Sequence, residues 1–226
     1  APVEEYATTN ADGVALFKNI PVGENYTLEE VDTAERYVIP AKQTVTVDWE
    51  SITEAAFNNV LKKFNLVLTK TDAENGGAQG DATLGGAVYG IYKDGELLKS
   101  YTTDANGKFT TDYFVCGEGY TVKEITPSKG YLLDETVYAL DVDADNYTIE
   151  KNTESLAVTE QVIKGTVQLT KVDKDFPENK LTGAEFQVYR DTNGDRKLDA
   201  DDEHLGALAE ISTGIYQMDY TTGTSD

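Results

Sequence analysis

Short segments in which apolar and polar residues alternate make up most of this chain, and turn-forming residues separate them. β-Branched and aromatic residues recur in these segments with a period of two, which is the period of a half-buried strand. Between residues 63 and 163 the pattern predicts about seven short strands. They are expected at 66–71, 87–92, 96–101, 108–115, 119–125, 136–142 and 156–162. Strands of this length with regular turns indicate an all-β sandwich.

The same motifs recur along the chain at intervals near one hundred residues. Leu-Thr-Lys-x-Asp around Lys70 returns around Lys171, 101 residues later. The turn at 8–13 returns at 102–107, and the strand Tyr-Thr-x-x-Glu that ends at Glu30 returns ending at Glu124. Such an interval is the length of a small β domain, so the sequence predicts an array of one module.

The positions of the repeats predict three segments. Residues 1–62 hold the C-terminal half of a module, 63–163 a complete module, and 164–226 an N-terminal half that carries an acidic loop. A half-module leaves strand edges uncovered. We therefore expect a piece of a longer protein, in which neighbouring modules of the same or an adjacent protein complete the halves.

Composition narrows the choice of partners. The formal net charge is −22, which argues against nucleic acid or an anionic membrane surface as a partner. No apolar run approaches the roughly 18 residues of a membrane-spanning helix, so this segment is not expected to insert into a membrane. The single Cys excludes a disulfide framework within the chain. Trp49 and the tyrosines are expected in the core or on strand faces.

The motifs, taken in order, resemble a known family. They are Leu-Thr-Lys-x-Asp, Gly-Ala-x-Phe/Tyr-x-x-Tyr, Thr-x-Asp/Asn-x-Gly, and the string from Tyr120 through Glu124, Pro127 and Gly130 to Tyr131. Together they are similar to the Cna B-type, SpaA-like domain, a transthyretin-like sandwich of Gram-positive adhesins and sortase-built pilins. The resemblance implies an extracellular, cell-wall-anchored protein whose anchor lies outside this chain.

The resemblance also implies a self-made isopeptide bond. In the family, a first-strand Lys attacks the side-chain amide of an Asn on the last strand, assisted by a buried Glu. Burial favours the neutral, nucleophilic form of an amine and the protonated form of a carboxyl group, and folding aligns the groups. Such a domain turns over once, so the chain is not expected to be an enzyme.

The family's residues map unevenly onto this chain. Glu30 matches the assisting Glu of the first half-module and Asn59 its acceptor; the adjacent Asn58 has the opposite strand parity. Lys70 and Glu124 match in the complete module, and Lys171 matches in the last half-module.

The acceptor position of the complete module departs from the family. The residue equivalent to Asn59 is Glu160, with Thr159 and Gln161 on either side. Lys and Glu on neighbouring strands commonly form a salt bridge. Both a cross-link at Lys70 and a plain ion pair are therefore open for this module.

A second candidate site is the acidic loop of the last segment. It resembles the calcium loop of EF-hands, dockerins and some staphylococcal surface B repeats. Hard Ca²⁺ takes six to eight oxygen ligands, which closely spaced carboxylates on a tight loop supply. Arg196 stands where such loops have Gly, Asp202 replaces the bidentate Glu, and a loop without metal is the alternative. The predicted structural Ca²⁺ ligands are Asp191, Asn193, Asp195, Lys197, Asp199 and Asp202.

Two functions follow from these features. The first is a stalk or pilus-shaft segment, held rigid by isopeptide bonds and calcium. The alternative is an adhesive module that binds a host matrix protein or a glycan, which would need an exposed apolar or aromatic patch. With one Cys, Cys116, and one His, His204, nucleophilic catalysis is not expected.

Overall fold

The structure is a computed structural model that describes residues 5–221, and its regular elements are almost all strands. Strands were expected wherever apolar and polar residues alternate, and the all-β prediction is confirmed. The strands are β1 (Gly23–Leu28), β2 (Tyr37–Val38), β3 (Gln43–Val47), β4 (Val60–Leu61), β5 (Lys63–Asp72), β6 (Val88–Lys93), β7 (Glu96–Thr102), β8 (Lys108–Thr110), β9 (Phe114–Val115), β10 (Tyr120–Thr126), β11 (Val137–Ala139), β12 (Lys151–Glu160), β13 (Lys164–Thr170), β14 (Gln187–Arg190), β15 (Glu203–Ala207), β16 (Ala209–Ser212) and β17 (Ile215–Thr221).

One helical element stands among these strands. It is a single 3-10 turn at Ala144–Asn146, which precedes β12. Within residues 5–221, no helix has the length and apolar character needed to cross a membrane.

The described chain divides into two compact units. The first comprises residues 5–65, 113–118 and 142–153; the second comprises 66–112, 119–141 and 154–221. In the first unit β1 pairs antiparallel with β3, and β2 with β4. The expectation that Trp49 lies in the core or on a strand face is wrong: it follows β3 in a turn and is 77% exposed.

A four-stranded antiparallel sheet, in the order β11-β10-β6-β7, belongs to the second unit. The β6–β7 hairpin turns at Asp94 and Gly95, whose φ angles are +52° and +85°. Two consecutive positive φ angles characterise the tight turn whose twist suits a hairpin, and Asp-Gly is a preferred pair for it. The sequence therefore encodes this turn locally.

The strand that carries Lys70 alternates strictly between two environments. In β5 the even-numbered residues from Phe64 to Asp72 are buried, and their odd-numbered neighbours are partly exposed. Lys70 has the same parity as Leu66 and Leu68, so the pleat directs it into the core. In the sheet, β5 lies between β12 and β8, and β9 pairs with its first residues.

The sequence repeat is also visible as a repeat of backbone geometry. The amide of Lys70 donates to the carbonyl oxygen of Gly107 at 2.8 Å, and the amide of Lys171 donates to that of Gly214 at 2.8 Å. Asp72 and Asp173 each accept two backbone N–H bonds from the turn that follows. The motif Leu-Thr-Lys-x-Asp thus builds the same strand end and the same turn in both places.

The last strands form two further sheets of the second unit. One has the order β13-β17-β16, and the other pairs β14 with β15. Tyr216 of β17 is buried and packs edge-on against Phe186, with ring centroids 4.9 Å apart. A small core therefore forms in this part of the chain as well.

Candidate functional site

The candidate site lies in the core of the second unit, where two sheets contribute side chains. β5 supplies Lys70, and the adjacent β12 supplies Glu160 as its last residue. β6 and β10, paired in the other sheet, supply Tyr89 and Glu124. Alternation in β5, β10 and β12 fixes the inward parity of Lys70, Glu124 and Glu160, whereas Tyr89 lies in a run of consecutive buried residues in β6.

Lys70 and Glu160 form a fully buried ion contact. Lys70 Nζ lies 2.9 Å from Glu160 Oε2, and both side chains are 0% exposed. The angles at the Lys70 nitrogen and the Glu160 oxygen are outside the range of a hydrogen bond, so the contact is purely ionic. A protonated Glu124 hydrogen-bonds Glu160. Three ionisable groups buried together are costly, so they mark an unusual site.

The aromatic ring of Tyr131 forms one wall of the site. Lys70 Nζ lies 3.6 Å from the ring centroid, and the Tyr131 hydroxyl donates to Asp72 Oδ2 at 3.0 Å. A cation over a ring face is attracted by the ring quadrupole. The hydroxyl bond fixes the ring, so Tyr131 holds the end of the lysine side chain in place.

Glu124 carries a proton at neutral pH. Burial, followed by the interaction with the Glu160 carboxylate, raises the pKa of Glu124 to about 8, although the Asp134 N–H and Lys70 act in the opposite direction. The Asp134 amide donates to Glu124 Oε2 at 2.8 Å, which leaves Oε1 for the site. Glu124 is therefore placed as a proton donor.

Tyr89 was missed by sequence reasoning. Its hydroxyl donates to Glu160 Oε1, while burial and this hydrogen bond hold the pKa of Tyr89 far above its ordinary value. The motif position was visible, but the equivalent residue in the last segment is Phe186, which lacks the hydroxyl. The sequence did hold one signal for this role: a Tyr stands at this position in the module whose acceptor position is a Glu.

The structure also brings together the two predicted residues of the first half-module. Asn59 Nδ2 donates to Glu30 Oε2 at 2.7 Å. Asn58 is exposed, whereas Asn59 is partly buried. Burial and the hydrogen bond therefore select Asn59 as the residue that faces Glu30.

Lys171 lies in a backbone setting equivalent to that of Lys70. It is half-buried, and its backbone repeats that of Lys70 through the bond to Gly214. The remaining sequence candidates are inconspicuous. Cys116 is buried, and the ring of His204 is exposed and hydrogen-bonds Gln187.

The acidic loop adopts part of the conformation expected of a calcium loop. Arg196, where such loops need Gly, has φ +62°, so the sharp turn is made without Gly. Asp191 accepts the backbone N–H of Gly194 and of Arg196 at 2.7 and 2.8 Å. Oδ1 of Asp202 is buried without a hydrogen-bond partner in the described chain.

The carboxylates of the acidic loop do not point to a common centre at which they could bind a metal ion. Within residues 5–221, no three His, Cys, Asp or Glu side chains are grouped as a metal site. The side chains at the predicted positions instead accept backbone N–H bonds of the loop itself, as Asn193, Asp195 and Asp199 do. Calcium binding at this loop stays a prediction.

Comparison with known families settles the relationship. The profile of the SpaA prealbumin-like fold domain matches residues 2–60 and 64–156. The chain belongs to this family. The resemblance inferred from the motifs is thereby confirmed, and the two matched stretches are both SpaA-like domains.

Individual relatives are more distant and longer. Serine-aspartate repeat-containing protein D of Staphylococcus aureus strain Newman is 27% identical over 89% of this chain, which spans only 16% of that protein. The Bacillus anthracis TIE protein has a similar fold, with 24% identity, a TM-score of 0.67, and coverage of 95% of this chain and 37% of its own. BcpA, the major pilin subunit of Bacillus cereus, matches at 18% identity and a TM-score of 0.38, over 72% of this chain and 54% of its own.

Proposed function

We propose that this chain is a structural segment of a stalk or pilus shaft on a Gram-positive cell surface. The observation that carries the proposal is that members of one set of groups recur at equivalent positions: Glu30 and Asn59 in the first half-module, Lys70, Glu124 and Glu160 in the complete module, and Lys171 in the last segment. In the second unit these groups meet in the core, at Lys70, Glu124 and Glu160. A tie between the first and last strands of a module opposes the peeling of strands under tension, which is what a stalk needs.

In the first half-module the cross-link would be a Lys–Asn isopeptide bond at Asn59. The contact of Asn59 Nδ2 with Glu30 Oε2 supports this, because it puts a carboxyl group next to the amide that would lose ammonia. The lysine would come from the first strand that completes this module. Lys171 shows the form such a strand takes.

Peptide mapping of the protein isolated from its producing cell tests this bond. We expect Asn59 in a branched peptide with a lysine, and a mass lower by one ammonia. An unmodified Asn59 peptide recovered in full would contradict the cross-link at this module.

Single-molecule pulling tests the stalk itself. A chain with tied modules should extend by less than its full contour length at forces that unfold untied β-sandwiches. Full extension of every module at low force would refute a shaft role, whatever the mass of the protein.

Calcium would be a second stabilising element, held by the loop from Asp191 to Asp202. The buried Oδ1 of Asp202, which has no hydrogen-bond partner among residues 5–221, and the left-handed backbone of Arg196 fit such a role. When bound, the ion would neutralise the carboxylates and stiffen the loop. Isothermal titration with CaCl₂ tests it, and an Asp191→Ala variant is the control.

An adhesive role is the second candidate, favoured by exposed apolar side chains between residues 5 and 62. The most exposed include Tyr6, Leu16, Trp49 and Ile52. A panel of matrix proteins and glycans tests it. Binding that is lost in Trp49→Ser would favour adhesion, and a panel without binding favours the stalk.

A further inference from the structure

We propose that Lys70 and Glu160 condense into a side-chain amide with loss of one water. The bond would replace the Lys–Asn chemistry of the family in this module. The proposal deepens the proposed function, since it names the tie that holds the complete module. It rests on the approach of Lys70 Nζ to Glu160 Oε2, 2.9 Å apart with both side chains fully buried.

A single new bond accounts for the close approach of the two buried charges. Lys70 Nζ would become the amide nitrogen, and Glu160 Oε2, the oxygen 2.9 Å from it, would leave as water. Condensation thus removes two charges from the core, where keeping them is costly.

The two oxygens of Glu160 are already distinguished by their surroundings. Oε1 accepts the hydroxyl proton of Tyr89, while Oε2 faces the amine. A fixed donor on one oxygen stabilises the negative charge that develops there when a nucleophile adds to the carbon. Tyr89 therefore marks Oε1 as the oxygen that stays, and Oε2 as the one that leaves.

The step balances without any outside reagent. A proton passes from the Lys70 ammonium to the Glu160 carboxylate, and the neutral amine adds to the Glu160 carboxyl carbon. Glu124 donates its proton to Oε2 as the C–O bond breaks, and takes one from the nitrogen. In sum, an ammonium and a carboxylate give an amide and water, with no change in net charge.

Position and burial favour a reaction that is unfavourable in bulk water. Two groups held in contact react with a high effective molarity, because their orientation is fixed by the fold. Keeping both charges buried is costly, and the amide avoids that cost. Glu160 also lines a cavity together with Leu132, Leu133 and Thr159, which gives the released water a place beside the site.

The intact mass of the denatured full chain is the first test. We expect a mass lower than the sequence mass by one water, and a branched peptide that joins Lys70 to Glu160. The full sequence mass would overturn the proposal, and so would a deficit mapped to any other pair.

Matched variants make the assignment specific. Lys70→Met should restore the full mass, whereas Lys62→Met should keep the deficit, because Lys62 is also buried but donates to the Ala144 carbonyl at 2.9 Å. Glu160→Gln should change the deficit from one water to one ammonia, since the leaving group then differs. A deficit of one water in Glu160→Gln would contradict an acceptor at this position.

The roles of Tyr89 and Glu124 are tested by the extent of bonding. In Tyr89→Phe the ring stays and only the hydroxyl is lost, as in Phe186 of the last segment. We expect a mixture of bonded and unbonded chains, with the unbonded fraction at least tenfold above that of the unaltered protein. Glu124→Gln should leave most chains unbonded. If every chain of both variants carries the bond, neither Tyr89 nor Glu124 takes part in forming it.

The outcomes also separate this proposal from the proposed function. A water deficit in a chain that extends fully under low force would uphold the bond and refute the shaft. The full mass in a chain that resists force would refute the bond and leave the shaft.

Discussion

Glu160 ends β12 at the place where Lys70 is buried in β5, and their charged atoms lie 2.9 Å apart with neither side chain exposed to solvent. The pair joins the first and last long strands of the complete module across 90 residues of chain. Whether it is an ion pair or an amide therefore has a large and measurable effect on stability.

The double variant Lys70→Met/Glu160→Leu separates the two states. If the pair is only ionic, replacing both charges by apolar groups should be neutral or stabilising. If it is an amide, the variant should lose about 4 to 5 kcal/mol of unfolding free energy, the chain-entropy value for a loop of this length. Urea unfolding measures the difference, and an unchanged midpoint would contradict the amide.

Glu124 should make stability fall as pH rises. Its folded pKa is raised from 4.5 to about 8, so between these values the folded state keeps a proton that the unfolded state has lost. The contribution is then lost with rising pH, at most about 1.4 kcal/mol per pH unit. Urea unfolding at pH 5 and pH 8 measures it. Glu124→Gln should flatten the profile in this window; an equally steep profile in that variant would assign the slope to other groups.

Replacing Gly107 should destabilise the module for two reasons, its positive φ angle and the lack of space for a side chain. A Cβ added there would lie 2.4 Å from the Lys70 carbonyl oxygen, and φ is +74°. Gly107→Ala should therefore displace β5 at Lys70, destabilise the module by more than about 2 kcal/mol, and lower the bonded fraction. Gly86→Ala is the matched control, because φ is +96° but a Cβ there meets open space. If both variants lose the same free energy of unfolding in urea, the positive φ angle alone explains the loss and the contact with Lys70 does not contribute.

Arg196→Gly should improve the acidic loop. The substitution keeps the left-handed turn and removes a strain of order 1 kcal/mol or more, since Gly adopts positive φ freely. Because the free loop already has this backbone conformation, the gain should appear as a higher free energy of unfolding, about 1 kcal/mol in urea unfolding, while the calcium affinity measured by isothermal titration stays within about twofold. Asp191→Ala should abolish calcium binding, and heats that are the same in all three chains would rule out this loop as a calcium site.

Local sequence determined most of the secondary structure of this protein. The alternation in β5 predicted both the strand and the inward parity of Lys70, because side chains of a strand point to opposite faces in turn. Asp94-Gly95 determined a hairpin, since few residue pairs accept two positive φ angles. The repeat predicted that Lys70 and Lys171 share one backbone setting, and their bonds to Gly107 and Gly214 confirm it.

The tertiary structure alone decided how the candidate site works. Sequence equivalence put Glu160 at the acceptor position, but it did not show that the hydroxyl of Tyr89 holds one Glu160 oxygen while Lys70 faces the other. Nor did it show that Glu124 is buried deeply enough to keep its proton. These contacts join strands that are far apart in the chain, and burial depends on what packs across the core. The alternation of apolar and polar residues specifies which face of the sheet a side chain points to. The packing of the other sheet determines which groups the side chain contacts there.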